Sequence, residues 1–168
     1  LAGAADTWTN YHPGIDYLHR EEAGQVIHVT EIDLSLPELW IRVTREEEGP
    51  ATPSALAALL DTAVTINGDW NAGDRPFGLS VGNGWPWSDA VDPPNPPGSP
   101  HHWLFLACTA EKECFFDTPN TQNDWSWMWQ NVVGGNEAVL VVAGEPAYYP
   151  GDFYNVDRHP RSGVCLDA

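Results

Sequence analysis

Apolar residues fall mostly in short runs, with little of the 3.6-residue spacing of long amphipathic helices, so the chain reads as strand-dominated. Residues 25–36 are rich in β-branched side chains and predict a strand, and residues 38–44, with Trp40, Ile41 and Val43, predict a second. Glu46 to Pro50 reads as a turn carrying a solvated acidic run. One helix is signalled, with Thr52 as N-cap, Pro53 in the first helical position and Ala55 to Leu60 as its body. Short strands are expected at 63–66, entering the turn Asn67-Gly68-Asp69, and at 76–81, ended by Gly82-Asn83-Gly84. Residues 85–102 hold six prolines and predict a surface loop.

Beyond that loop, residues 103–108 predict a buried strand, and 115–131 are polar and tryptophan-rich. Residues 132–143 predict a long strand or strand pair interrupted by Gly134-Gly135-Asn136. A loop at 146–158 and a last short strand at 162–166 complete the pattern. The class expected is α+β, a mixed sheet with few helices. A terminal strand so short needs neighbours, so the chain is expected to be the N-terminal portion of one domain, completed by a C-terminal half or a second chain.

Charge narrows the partners. Seven basic residues face 24 acidic ones among 168, a formal net charge of −17, with Lys112 the one lysine. Nucleic acids and anionic membrane surfaces need a basic footprint and are excluded as partners. No apolar run approaches the ~18 to 20 residues of a membrane span. Cys108 and Cys114 are spaced for a short disulfide-closed loop or stand as buried thiols, and Cys165 is left over. The small-residue start, Leu-Ala-Gly-Ala-Ala-Asp, fits the zone beside a removed signal, so a secreted or extracytoplasmic location is expected.

Three groups of residues carry chemistry. The turn Asn67-Gly68-Asp69-Trp70-Asn71 presents amides and a carboxylate at a strand tip, with Gly68 permitting a positive φ and a close backbone approach. The same turn fits an ordinary hairpin. Asp69, Asn71 and Asp74 also resemble part of a calcium loop without its bidentate glutamate, so calcium is the one cofactor considered. Gly134, Gly135 and Asn136 follow two valines and let a backbone approach a ligand or form a bulge. Arg158, His159 and Arg161 make the densest positive site, fit for a phosphate or for a salt bridge. Among nine tryptophans, Trp40 and Trp103 are expected in a core or interface. Trp70, Trp85 and Trp87, beside turns, fit a sugar-stacking platform. His101-His102 lacks a third metal ligand at a sensible spacing.

The order of these groups resembles the phosphodiester glycosidase domain family. The resemblance is carried by Ile66-Asn67-Gly68-Asp69-Trp70, Gly78-Leu79 with Gly82-Asn83-Gly84, the Gly134-Gly135 strand and His159-Pro160-Arg161-Ser162-Gly163-Val164. It spans roughly residues 26 to 167 and covers the front half of that domain. Asp69 and Trp70 stand where many members have Gly and Phe, and Cys165 where Gly is usual. The resemblance implies a hydrolase that cleaves a glycosidic bond in a sugar phosphodiester or related glycoconjugate. It implies Asn67, Asp69 and Arg161 as catalytic residues. It implies Gly68, Trp70, Gly134, Gly135, Asn136, Arg158 and His159 as substrate-binding residues, with no cofactor. The alternative is a non-catalytic carbohydrate-binding or structural extracellular protein on the same scaffold.

Overall fold

The computed structural model describes residues 6–68, 71–72, 74–76, 78–88, 105–117, 129–134, 141–142, 144–146 and 162–167. The chain divides into two compact units, Leu1–Ile41 and Arg42–Ala168.

The first unit is a three-stranded antiparallel sheet of β1 (Trp8–His12), β2 (Ile15–Glu22) and β3 (Gln25–Ile32), in that spatial order. The sequence pattern anticipates only β3. Strand β2, Ile-Asp-Tyr-Leu-His-Arg-Glu-Glu, buries Ile15 and Leu18 and leaves its charged end exposed, so apolar runs do not betray it. Strands β2 and β3 are joined by Ala23-Gly24, both left-handed (φ 50° and 76°), a two-residue turn whose twist matches that of the strands. Their register is unbroken from Glu22–Gln25 to Ile15–Ile32. Arg20 forms an ion pair with Asp6, which raises the guanidinium pKa through hydrogen bonding and Coulomb attraction.

The strand expected over 25–36 stops at Ile32 because Asp33 turns the chain. Its N–H donates to the Gly14 carbonyl at 2.9 Å, and its carboxylate accepts from the Ser35 N–H at 3.0 Å. The second expected strand, 38–44, does not form. Leu39 is buried there, but Trp40 is 67% exposed, which removes the core alternative expected for it. The N–H of Val43 donates to a side chain, Asn131 Oδ1 at 2.9 Å, where a strand would use a backbone carbonyl.

The second unit begins with a 3₁₀ turn (Glu46–Glu48) and helix α1 (Pro53–Leu60). The helix starts as its sequence predicts: Pro53 occupies the first turn, and Thr52 Oγ1 accepts from the Ala55 N–H at 3.3 Å. It ends at Asp61 in the left-handed region, and none of its residues is buried.

The short pair β4 (Asn71–Ala72) and β5 (Arg75–Pro76) precedes the main sheet. That sheet comprises β6 (Ser80–Gly82), β7 (Trp85–Ser88), β8 (Phe105–Cys108), β9 (Cys114–Asp117) and β10 (Asn131–Gly134). Their order is β7-β6-β10-β8-β9, and every pairing is antiparallel, where a mixed sheet was expected. A last two-stranded ladder joins β11 (Val141–Val142) and β12 (Glu145–Pro146). The fold is a strand-dominated α+β structure. Leu79, Val81, Phe105, Ala107 and Val132 form the core, and Trp129 and Phe115 pack on it, with Trp129 5.0 Å from the Phe105 ring. Each large apolar side chain so buried contributes roughly 1.5 to 3 kcal/mol.

Two expectations fail in instructive ways. Residues 85–88, placed in the proline-rich loop, form β7 through the Asn83-Gly84 turn (φ 52° and 81°). Pro86 is tolerated because β7 is the sheet's edge, where a missing N–H disrupts no inner ladder. The expected strands at 63–66 and 162–166 have no ladder partner among the described residues. The Cys108–Cys114 disulfide forms and closes the β8–β9 hairpin, the two residues facing each other in register.

Candidate functional site

The site is built around the end of the segment that follows α1. Thr62 and Thr65 pair their hydroxyls at 2.6 Å, and the chain then presents Asn67 at the surface. At Gly68 there is room for no side chain. An added Cβ would lie 2.8 Å from Cγ2 of Val133, on β10 immediately before the buried Gly134. Gly68 serves the expected close approach, but its φ lies outside the left-handed region, so the expected positive φ is absent.

The third component arrives from the far end of the chain. Ser162 Oγ donates a hydrogen bond of 2.6 Å to Asn67 Oδ1. Both side chains are exposed. A carboxamide has one acceptor oxygen and two N–H donors. Oδ1 keeps a second lone pair beside the serine bond, and Nδ2–H₂ offers a donor pair suited to a phosphate or hydroxyl oxygen. Three stretches separated in sequence thus meet at 67–68, Val133 and Ser162.

Asp69, Trp70, Gly135, Asn136, Arg158, His159 and Arg161 lie outside the described residues, as do Trp103, His101 and His102. Asp69 follows Gly68 directly in the chain, and Arg161 directly precedes Ser162. Of the calcium set, Asp74 is exposed, Asp69 is not described, and nothing is described of the Asn71 side chain. Among the described residues no group of three or more His, Cys, Asp and Glu is arranged to hold a metal. The tryptophans divide: Trp87 is buried at 9% exposure, so it belongs to the core and not to a sugar platform, whereas Trp85 is 69% exposed. Cys165 is a free, exposed thiol.

Asn131 is the organising residue that the sequence does not announce. It is buried at the start of the central strand β10, and its Oδ1 accepts from the Val43 N–H at 2.9 Å and the Asn83 N–H at 3.1 Å. Beside it, the Gln130 carbonyl accepts from the Gly84 N–H at 2.7 Å, and Gln130 Nε2 donates to Asn83 Oδ1. These bonds hold the β6–β7 turn to the strand that ends at Gly134. Gly82 on the same hairpin leaves no room for a side chain against the Thr44 backbone.

Comparison with protein families, curated proteins and solved structures gives no match. Among the described residues no helix is long and apolar enough to cross a membrane.

Proposed function

We propose that the chain is an extracytoplasmic hydrolase of the phosphodiester glycosidase type, acting on the glycosidic bond of a sugar phosphodiester. The observation that carries this reading is the Ser162–Asn67 hydrogen bond, reinforced by the packing of Gly68 on Val133. The bond ties Asn67 to the residue that follows Arg161, and Gly68 packs on the residue that precedes Gly134, in keeping with the motif order on which the resemblance rests.

In this reading, Arg161 supplies the positive charge that a phosphodiester requires on a protein of net charge −17. Arg158 and His159 add to that field. The Asn67 amide binds a phosphate or sugar oxygen, and Asp69 serves as acid/base or stabilises the oxocarbenium-like transition state. The bond between the anomeric carbon and the phosphate oxygen breaks, water adds to that carbon, and the phosphate leaves as a monoester. A second carboxylate, which glycosidases of this kind pair with the first, would come from the C-terminal half or a second chain. The Cys108–Cys114 disulfide supports an oxidising compartment.

The test is release of free sugar from a synthetic N-acetylglucosamine phosphodiester. Turnover that Arg161→Ala abolishes without altering the far-ultraviolet dichroism supports the assignment, and turnover unchanged by that substitution removes it. A second reading, a non-catalytic carbohydrate-binding protein, is favoured by the exposed Trp85 indole. It predicts saturable sugar binding that Trp85→Ala abolishes, with no sugar released.

A further inference from the structure

The two edges of the first unit's sheet differ. On one, β1 carries an irregularity between Asn10 and His12, a device that blunts an edge against further pairing. On the other, β3 runs regularly for eight residues, Gln-Val-Ile-His-Val-Thr-Glu-Ile, with no proline, lysine or bulge. Among the described residues it pairs only with β2. Three of its apolar side chains are open: Val26 at 59%, Val29 at 38% and Ile32 at 39% exposure.

The hairpin register states which backbone groups are available. A two-residue turn makes Glu22 and Gln25 a hydrogen-bonded pair, and such pairs alternate with non-hydrogen-bonded ones along an antiparallel ladder. His19 and His28 then form a non-hydrogen-bonded pair, where side chains approach most closely, and their rings are indeed stacked at 5.0 Å. By the same alternation, Val26, His28, Thr30 and Ile32 direct their N–H and C=O groups away from β2.

We infer that β3 is a self-association strand, on which a second copy of this chain pairs antiparallel through its own β3 about a two-fold axis at Val29. Side-chain matching selects this register. Centred on Val29, Val26 meets Ile32 of the second copy, His28 meets Thr30, and Ile27 meets Glu31. The two Val29 residues face each other, and Gln25 lies opposite Asp33. All three exposed apolar residues gain apolar partners, and no like charges stand opposite, although each chain carries −17. Every outward-directed residue meets another outward-directed residue, so the ladder closes. Centring on His28 sets Ile32 opposite Gly24, and centring on Thr30 sets Val29 opposite Glu31 and Ile32 opposite His28. The product is a continuous six-stranded sheet with isologous symmetry. The net charge opposes association, so dimer increases with ionic strength.

The experiment places one cysteine on the axis. In the full chain with Cys165→Ser, Val29→Cys brings two thiols together at a non-hydrogen-bonded pair, where Cβ atoms approach disulfide range. Ile27→Cys places its thiol opposite Glu31 and serves as control. Mild oxidation at high salt is expected to convert most of the Val29→Cys chain to a band of twice the monomer mass on a non-reducing gel, at least tenfold more than for Ile27→Cys. Equal yields from the two variants overturn the inference. Sedimentation of the unsubstituted protein supplies an independent readout: a mass rising toward the dimer with salt, and held at the monomer by Val29→Lys, supports it. A monomer at all salt and protein concentrations overturns it.

Discussion

Ser162 and Asn67 are 95 positions apart and are joined by a 2.6 Å bond from a serine hydroxyl to an asparagine carbonyl. The bond is exposed, so Ser162→Ala should cost about 1 kcal/mol of stability or less. Its effect on function is expected to be larger, because the serine fixes which end of the Asn67 amide faces a ligand. Turnover of a glycosyl phosphodiester by Ser162→Ala should fall about tenfold or more and recover in Ser162→Thr, which keeps the hydroxyl. Equal turnover in the alanine variant and the parent would remove Ser162 from the site.

Asn131 is a buried polar residue that holds two distant backbone segments among the described residues of the second unit. Asn131→Ala leaves the Val43 and Asn83 N–H groups without their acceptor and should cost about 2 to 4 kcal/mol by urea unfolding. Asn131→Leu, nearer in size, should do no better, because the loss is in hydrogen bonding and not in volume. A cost below about 0.5 kcal/mol for either variant contradicts this role.

How much of this was legible in advance depended on the range of each interaction. Helix α1 was legible to the residue because its signals are local: Thr52 and Pro53 act within one turn of the helix they start. The buried strands at 80–82, 105–108 and 131–134 showed as apolar runs with glycine punctuation. Strand β1 did not, because every one of its residues is exposed, nor did β2, because it buries only Ile15 and Leu18, and β7 did not, because its proline is tolerated only at an edge that sequence cannot locate. The supposed strand at 38–44 was overridden by the Asn131 side chain, 88 positions from Val43. Around Asn67, the sequence offers the Asn-Gly turn itself, but no local pattern shows that Ser162, and not another hydroxyl, reaches it.

The β2–β3 turn carries a correctable strain. Ala23 occupies the left-handed region at φ 50°, where an L-residue with a Cβ is disfavoured by roughly 1 kcal/mol. Ala23→Asn, which tolerates that region, should raise stability by about 0.5 to 1 kcal/mol. Ala23→Val should lower it. Thermal unfolding of the three proteins side by side measures the order.

Asp33 makes stability depend on pH in a known direction. Hydrogen bonds from Ser35 hold its carboxyl below the ordinary aspartate value. A depressed folded pKa means that the contribution is fully present above the unfolded value of about 3.9 and is lost as pH falls through the folded one. Acid unfolding of Asp33→Asn should therefore differ from the parent in slope below about pH 4 and run parallel to it above pH 5.

The Cys108–Cys114 bridge closes a short loop between paired strands. Chain-entropy reasoning for a loop of that length gives about 2 kcal/mol. The double variant Cys108→Ser, Cys114→Ser should unfold at correspondingly lower urea, and reduction of the parent should reproduce the shift.

In the proposed function, the Asn67 turn and the arginine segment bind one ligand together. The most direct measurement is a nitrogen–proton correlation titration with a glycosyl phosphodiester, following the Asn67 Nδ2–H₂ and Arg161 Nε–H signals in one experiment. Both signals are expected to shift with the same midpoint, and the Arg161 response to vanish in Asn67→Ala. Shifts with different midpoints, or an Asn67 amide that stays still while Arg161 moves, would contradict a common site.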